Sequence, residues 1–264
     1  MNPMIRKELR QRMRERQGWI LPSLYLVVLG AVIAITYYEA TTSQSGEVQG
    51  WQVGVSLFIA ATFAQLILLL LLAPIFSAAS LTIEKEQRTL AGLLTSLLPP
   101  AQIWWGKFVA SLLFVLLMLI AGLPVISAAF AFGGVGPWEV FIATLTTVVI
   151  LGTVSAISLF WSSVFRRSVH ATAVSYVTVI VLSIVTFIVF LVGMSRHESL
   201  EWVKLPIAVK GPLFFNPVFF LMMAFAPKEH LYPEWVACLI IYFSLGILSA
   251  FLAVRNLSRS GDAV

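Results

Sequence analysis

Charge is sparse in this sequence. Asp, Glu, Lys and Arg make up 11% of its 264 residues against 59% hydrophobic ones, and the mean hydropathy is +0.95, a balance that excludes an ordinary water-soluble domain. Cysteine occurs once, at Cys238, so no intramolecular disulfide can form and thiol content is silent about compartment. No Gly-x4-Gly-Lys-Ser/Thr loop occurs. The Gly106-Lys107 pair has Ala101 where that loop needs glycine and Phe108 where it needs a hydroxyl, so the chain is not expected to hydrolyse ATP or to act as an enzyme by itself. There is no His-Glu-x-x-His and no pair of intramembrane aspartates, and His197 and His230 lack metal-ligand spacing. Neither a metal site nor a membrane-embedded enzyme is therefore expected.

Apolar runs are abundant. Crossing a hydrocarbon core of about 30 Å takes roughly 20 apolar residues, and six runs meet that length, free of charged side chains except for Lys107 near the start of the third: 19–38, 53–81, 103–132, 140–164, 169–193 and 235–254. They predict an all-α polytopic membrane protein, with 19–264 as a single six-span domain. Pro74 and Pro124 lie inside the second and third runs, where kinks or tilts are expected. Basic residues precede the first run, as in a signal peptide, but it is too long for such a segment and no clean cleavage pattern follows, which predicts a retained span.

Basic residues set the orientation. Arg6, Lys7, Arg10, Arg12, Arg14 and Arg16 precede the first run, Lys85, Arg88 and Lys107 flank the second connection, Arg166 and Arg167 the fourth, and Arg255 and Arg259 follow the last run. Short cytoplasmic loops hold such an excess, so both termini are expected in the cytosol, and the net charge of +5 needs no nucleic-acid partner. Residues 1–18 read as a separate amphipathic element: Asn2 as a cap, Pro3 at the first helical position, and Ile5, Leu9 and Met13 along one face among the basic residues. Such a helix suits the lipid headgroup plane, as an elbow bracing the first span or as a plain topology signal.

The stretch 82–107, TIEKEQRTLAGLLTSLLPPAQIWWGK, is the long charged interlude on the expected cytosolic side. Its first part, about 82–98, predicts a short amphipathic helix, with Ile83, Leu90, Leu94 and Leu97 in one stripe, Glu84, Lys85 and Arg88 opposite, and Pro99 and Pro100 as a stop. Periodicity alone leaves a solvated surface helix and a docking helix equally open. On the other side, about 199–230 forms a long external segment whose apolar part, 213–226, is too short to span and too apolar for water. A re-entrant or interfacial piece is expected there. Its Asn216-Pro217 break is then an external gate or part of a plug, since irregular backbone at that depth must be covered by protein or line a wet cavity.

The run Glu84, Glu86, Arg88, Thr89, Leu90, Leu93, Leu94, a Ser-Leu-Leu-Pro step ending at Pro99, then Gly106 and Lys107 resembles the first cytosolic loop of type-2 ABC transporter permeases. In that family a Glu-x-Glu, a Thr-Leu and a Leu-Leu ahead of a proline and a Gly-Lys mark the coupling helix that docks on the ATP-binding subunit. The basic N-terminal helix, the six-span layout and Asn216-Pro217 are similar to the same plan, so the resemblance covers essentially the whole chain. It implies that Glu84, Glu86, Arg88, Thr89, Leu90 and Leu94 couple to a separate ABC ATPase. It also implies that ATP and magnesium bind that partner, and that a second permease chain, identical or different, completes an exporter in the membrane lipid of a prokaryotic cell (inner) membrane. Many members of that family carry glycine where this chain has Arg88.

Alternatives from other classes stay open on residues alone. A secondary carrier would place an acid, base or broken helices near the midplane, whereas Gln65 is the strongly polar side chain deep in a span and His170 lies at a boundary beside Arg166 and Arg167. A non-transporting scaffold or regulatory subunit fits the same composition. Ser and Thr in the fourth and fifth runs, among them Thr146, Ser155, Ser158, Ser175 and Ser183, together with the Gly152/Ala156 spacing, favour helix packing over substrate contact.

Overall fold

The computed structural model describes residues 17–42, 50–89, 99–195, 211–225 and 232–261, and among these all regular structure is helical. Six helices are long and apolar enough to cross a membrane: α1 (Gln17–Thr42), α2 (Gly50–Glu86), α3 (Pro100–Ser127), α4 (Pro137–Val164), α5 (Ser168–Ser195) and α7 (Tyr232–Gly261). They correspond one for one to the six apolar runs. Between α5 and α7, a 3-10 stretch Gly211–Phe215 leads into the short helix α6 (Pro217–Ala224). The elbow expected over 1–18 falls outside the described residues except for Gln17 and Gly18, which begin α1.

Proline punctuates the starts more than the interiors. Pro100 and Pro137 open α3 and α4 at positions where the missing N–H costs nothing, while α2 and α3 continue as helix through Pro74 and Pro124. After Ser127 the third span tightens into a 3-10 stretch, Ala128–Phe132, and Gly133 and Gly134, both at φ 81, turn the chain.

The core centres on α2 and α4. Ala61, Leu66 and Leu69 of α2 belong to one buried cluster with Ile150 and Leu151 of α4 and Met118 of α3, all essentially without exposure. The windows of α1 and α5 are the least buried of the six spans and turn Val27, Ile35, Val177 and Ile188 outward, as expected where hydrocarbon is the solvent. Gly54 makes one of the closest backbone approaches: a Cβ there would lie 2.0 Å from the Gly133 carbonyl oxygen. Gly152 does not share that role, because a Cβ there meets nothing within 4 Å. The expected close packing at the Gly152/Ala156 spacing therefore holds at Ala156, which is buried, and not at Gly152.

Polar side chains mostly serve packing. Thr146 Oγ1 donates to Ile142 O at 2.8 Å and accepts from Trp235 Nε1 at 2.9 Å, and Thr153 Oγ1 donates to Tyr242 O at 3.0 Å, so both tie α4 to α7. Gln65 Nε2 donates to Leu119 O in α3 at 3.2 Å. Tyr176 of α5 donates to the Leu71 carbonyl of α2, one residue beyond Leu70, whose carbonyl loses its usual helical donor because Pro74 has no N–H.

Candidate functional site at the charged end of the second span

The second span does not stop at Leu81. Thr82–Glu86 continue α2, which is 37 residues long, so the helix expected over about 82–98 is not separate from the span at its start. The physical reason is that the first charged residues are satisfied by neighbouring spans rather than by water. Ile83, placed by periodicity in the apolar stripe, is 43% exposed.

Three consecutive side chains at this end reach three different spans. Glu84 Oε1 lies 2.8 Å from Lys107 Nζ of α3, and Lys107, only 1% exposed, also donates to Ser80 O at 2.8 Å. Lys85 extends to the end of α4. Its ammonium donates to the carbonyls of Ser162 at 2.9 Å, Ser163, and Phe165 at 3.0 Å, three donors meeting three acceptors. The last carbonyls of a helix lack intrahelical donors and carry the negative end of its dipole, so a cation is the fitting cap. Glu86 does the converse for α5: its Oε1 accepts from the Ser168 N–H at 2.6 Å, an anion on the positive end of a helix dipole. Neighbouring charges of opposite sign thus compensate the two helix ends that meet at the α4–α5 turn.

Further contacts tighten this knot. Ser162 Oγ accepts from the N–H groups of Leu81 and Thr82, each at 3.1 Å, and Asn256 Nδ2 of α7 donates to Ser163 Oγ at 3.3 Å. Glu84 Oε2 is buried and has no hydrogen-bond partner among the described residues. Arg166, Arg167 and His170 are exposed around the turn.

Arg88 ends the helix in the left-handed region, at φ 57. Arg88 N donates to Lys85 O at 3.2 Å and Thr89 N to Glu84 O at 3.0 Å, the paired pattern by which a residue just past a helix commonly closes its C-terminus. Glycine is the usual occupant of that position, and here Arg88 takes it. Glu86, Gln87, Arg88 and Thr89 are exposed. Leu90 and Leu94 lie outside the described residues.

At the opposite end, Asn216 is buried and caps α6: its Oδ1 accepts from Val218 N at 2.9 Å and Phe219 N at 3.2 Å, with Pro217 at the first helical position. Its Nδ2 donates to Ser183 O at 2.9 Å and Thr186 Oγ1 at 3.1 Å in α5, and Tyr242 of α7 donates to Phe215 O at 2.9 Å. The break in the backbone is therefore covered by protein, as burial at membrane depth requires. Ser162, Ser163, Ser168 and Asn256 are members of the charged knot that sequence reasoning missed. Lys107 was named there as the end of the interlude, without its tie to Glu84.

Six helices long and apolar enough to span, five of them meeting in a charged knot at one end, define a polytopic helical membrane protein. The chain belongs to the ABC-2 transporter family: the family model described as ABC-2 family transporter protein matches residues 3–205, which makes it a membrane permease of an ABC transporter. The match includes the whole knot except Asn256 and stops before Asn216 and α7. No curated protein matches the chain.

Proposed function

We propose that this chain is the permease subunit of an ATP-driven exporter, coupling ATP hydrolysis by a separate ATPase subunit to substrate movement across the cell membrane. The observation that carries the reading is the knot at Glu84, Lys85 and Glu86. Whatever moves the exposed exit of α2 at Gln87–Thr89 moves a point bonded to α3, α4 and α5 at once. On this reading the exit faces the cytosol, in line with the basic loops, and the ATPase bears on residues 86–89 and the segment that follows, including Leu90 and Leu94. Glu84 serves as an internal tie to Lys107, whereas Glu86, Arg88 and Thr89 are the exposed contact residues. ATP and magnesium belong to the ATPase, and a second permease chain completes the assembly.

α5 carries the movement outward. It is held by Glu86 at its first residue, by Tyr176 two turns further on and by Asn216 at Ser183 and Thr186, just past its middle. The external gate at Asn216-Pro217 is thereby tied to the helix whose start the knot grips. The test is the complex of this chain with its ATPase in nanodiscs, with spin labels at Gln87 and Val169. ATP with vanadate should change the label distance in the native complex, and Glu86→Gln should shrink that change while ATP turnover continues. A distance indifferent to nucleotide, with no ATPase subunit retained, would instead support a non-transporting scaffold.

A further inference from the structure

Gln65, the strongly polar side chain deep in a span, takes no part in the charged knot. It lies 15 residues past the start of α2 at Gly50, roughly 22 Å along the helix at 1.5 Å per residue, and is 4% exposed. Beside it lies a small cavity between α2, α3 and α4, lined by Phe58, Thr62 and Gln65 of α2, Ile126 of α3 and Thr144 and Thr147 of α4. Leu81 and Thr82 of α2 meet Ser162 of α4 towards the charged end, while Thr62 and Gln65 meet Thr144 and Thr147 around the cavity. The two helices therefore run side by side in the same direction. The cavity leaves about 10 Å3 of room for the centre of a water-sized sphere. One water needs at least about 10–15 Å3 on that measure, so nothing larger fits.

Hydrogen-bonding capacity narrows the guest further. Thr62 Oγ1 donates to Phe58 O at 2.7 Å and Thr147 Oγ1 to Ala143 O at 2.8 Å, so towards the cavity both can only accept. Gln65 Nε2 donates to Leu119 O of α3 at 3.2 Å, which fixes the amide and leaves Oε1 as a third acceptor. Thr144 adds a hydroxyl, which can donate or accept. Three acceptors and one adaptable hydroxyl call for a guest that donates twice and accepts once.

Water meets that demand. A bare cation finds no carboxylate among the residues lining the cavity, so its charge would be buried without compensation. An apolar guest would leave the Gln65 carbonyl unsatisfied at a depth where hydrocarbon supplies no donor. We propose that the cavity holds one ordered water molecule, which donates to Gln65 Oε1 and Thr147 Oγ1 and accepts from the Thr144 hydroxyl. Three partners is the usual complement of a buried water. The water ties α2 to α4 midway along the bundle, as Ser162 ties them at the charged end, and through Gln65 it is joined to α3.

X-ray radiolysis of the full chain in lipid nanodiscs tests this. The radiation converts water to hydroxyl radicals, which attack side chains beside the water that produced them, and mass spectrometry locates the added oxygen. Phe58 and Phe114 are equally buried, at 3% exposed, and of the two Phe58 lines the cavity. Phe58 should be oxidised several-fold faster than Phe114. Gln65→Leu, and independently the equal-sized Thr144→Val, should bring Phe58 down to the rate of Phe114 while Phe114 stays unchanged, which also reports an intact fold. Equal oxidation of the two rings in the unmodified chain would overturn the proposal, as would fast oxidation of Phe58 that survives both substitutions. An unfolding temperature that rises with sodium or potassium in the unmodified chain but not in Thr144→Val would assign the cavity to a cation and overturn it too. No ATPase is needed for these measurements, so their outcome is independent of the transport reading.

Discussion

Lys107 Nζ lies 2.8 Å from Glu84 Oε1, with the two side chains only 2% and 20% exposed. The pair joins α2 to α3 across 23 residues of sequence. Breaking a buried pair from one side strands the other charge, at a cost of about 3–5 kcal/mol, whereas replacing both partners with apolar groups of similar size is often neutral. Lys107→Met should therefore lower the thermal unfolding temperature of the purified protein sharply, and the double variant Lys107→Met/Glu84→Leu should recover most of the loss. Reversing Glu84 to Lys tests the fold before it tests any partner.

Arg88 makes an opposite prediction. A non-glycine residue in the left-handed region costs roughly 1–2 kcal/mol, partly offset by the larger freedom of glycine in the unfolded chain. Arg88→Gly should stabilise the end of α2 by about 0.5–1 kcal/mol, read as slower amide exchange at Thr89, and Arg88→Val should speed that exchange. If Arg88→Gly also weakens association with the ATPase, the guanidinium is kept for contact and not for folding.

Asn216→Ala removes a cap worth about 0.5–2 kcal/mol and the link to Ser183 and Thr186. Exchange of the Val218 and Phe219 amides should accelerate by roughly ten-fold. Asn216→Asp keeps the capping oxygen and loses the donors to α5, so these two amides should stay protected while α6 loosens from α5.

Glycine substitutions separate close approach from spacing. Gly54→Ala places a methyl 2.0 Å from a backbone oxygen that cannot swing aside, and overpacking of this kind costs about 1–3 kcal/mol. Gly152→Ala meets open space and should be neutral or slightly stabilising through helix propensity. Thermal unfolding of the two variants side by side checks both statements.

The six spans were legible because hydrocarbon thickness is written directly into run length, and each helix overlies its run within a few residues. The start of the charged interlude was not. An amphipathic stripe assumes that a helix is solvated on one face and packed on the other, yet Glu84, Lys85 and Glu86 are satisfied by Lys107, the end of α4 and the start of α5, partners 23 to 82 residues away. Nothing in local periodicity reports such distances, so α2 extends to Glu86 and Ile83 faces outward. Asn216-Pro217 was legible as a break, since Asn caps and Pro starts helices, but the hold on Ser183 and Thr186 follows from tertiary placement alone.

The central claim is that an ATPase bears on the exit of α2. A photo-cross-linking amino acid at the exposed position Thr89, in the full transporter in its native membrane, tests this most directly, with Trp138 at the first turn of α4, on the opposite face, as the control. The account predicts an ATP-dependent adduct at Thr89 that contains a Walker-type ATPase subunit, and none at Trp138. Adducts at Thr89 that lack an ATPase, or ATPase adducts equally abundant from both positions, would contradict it.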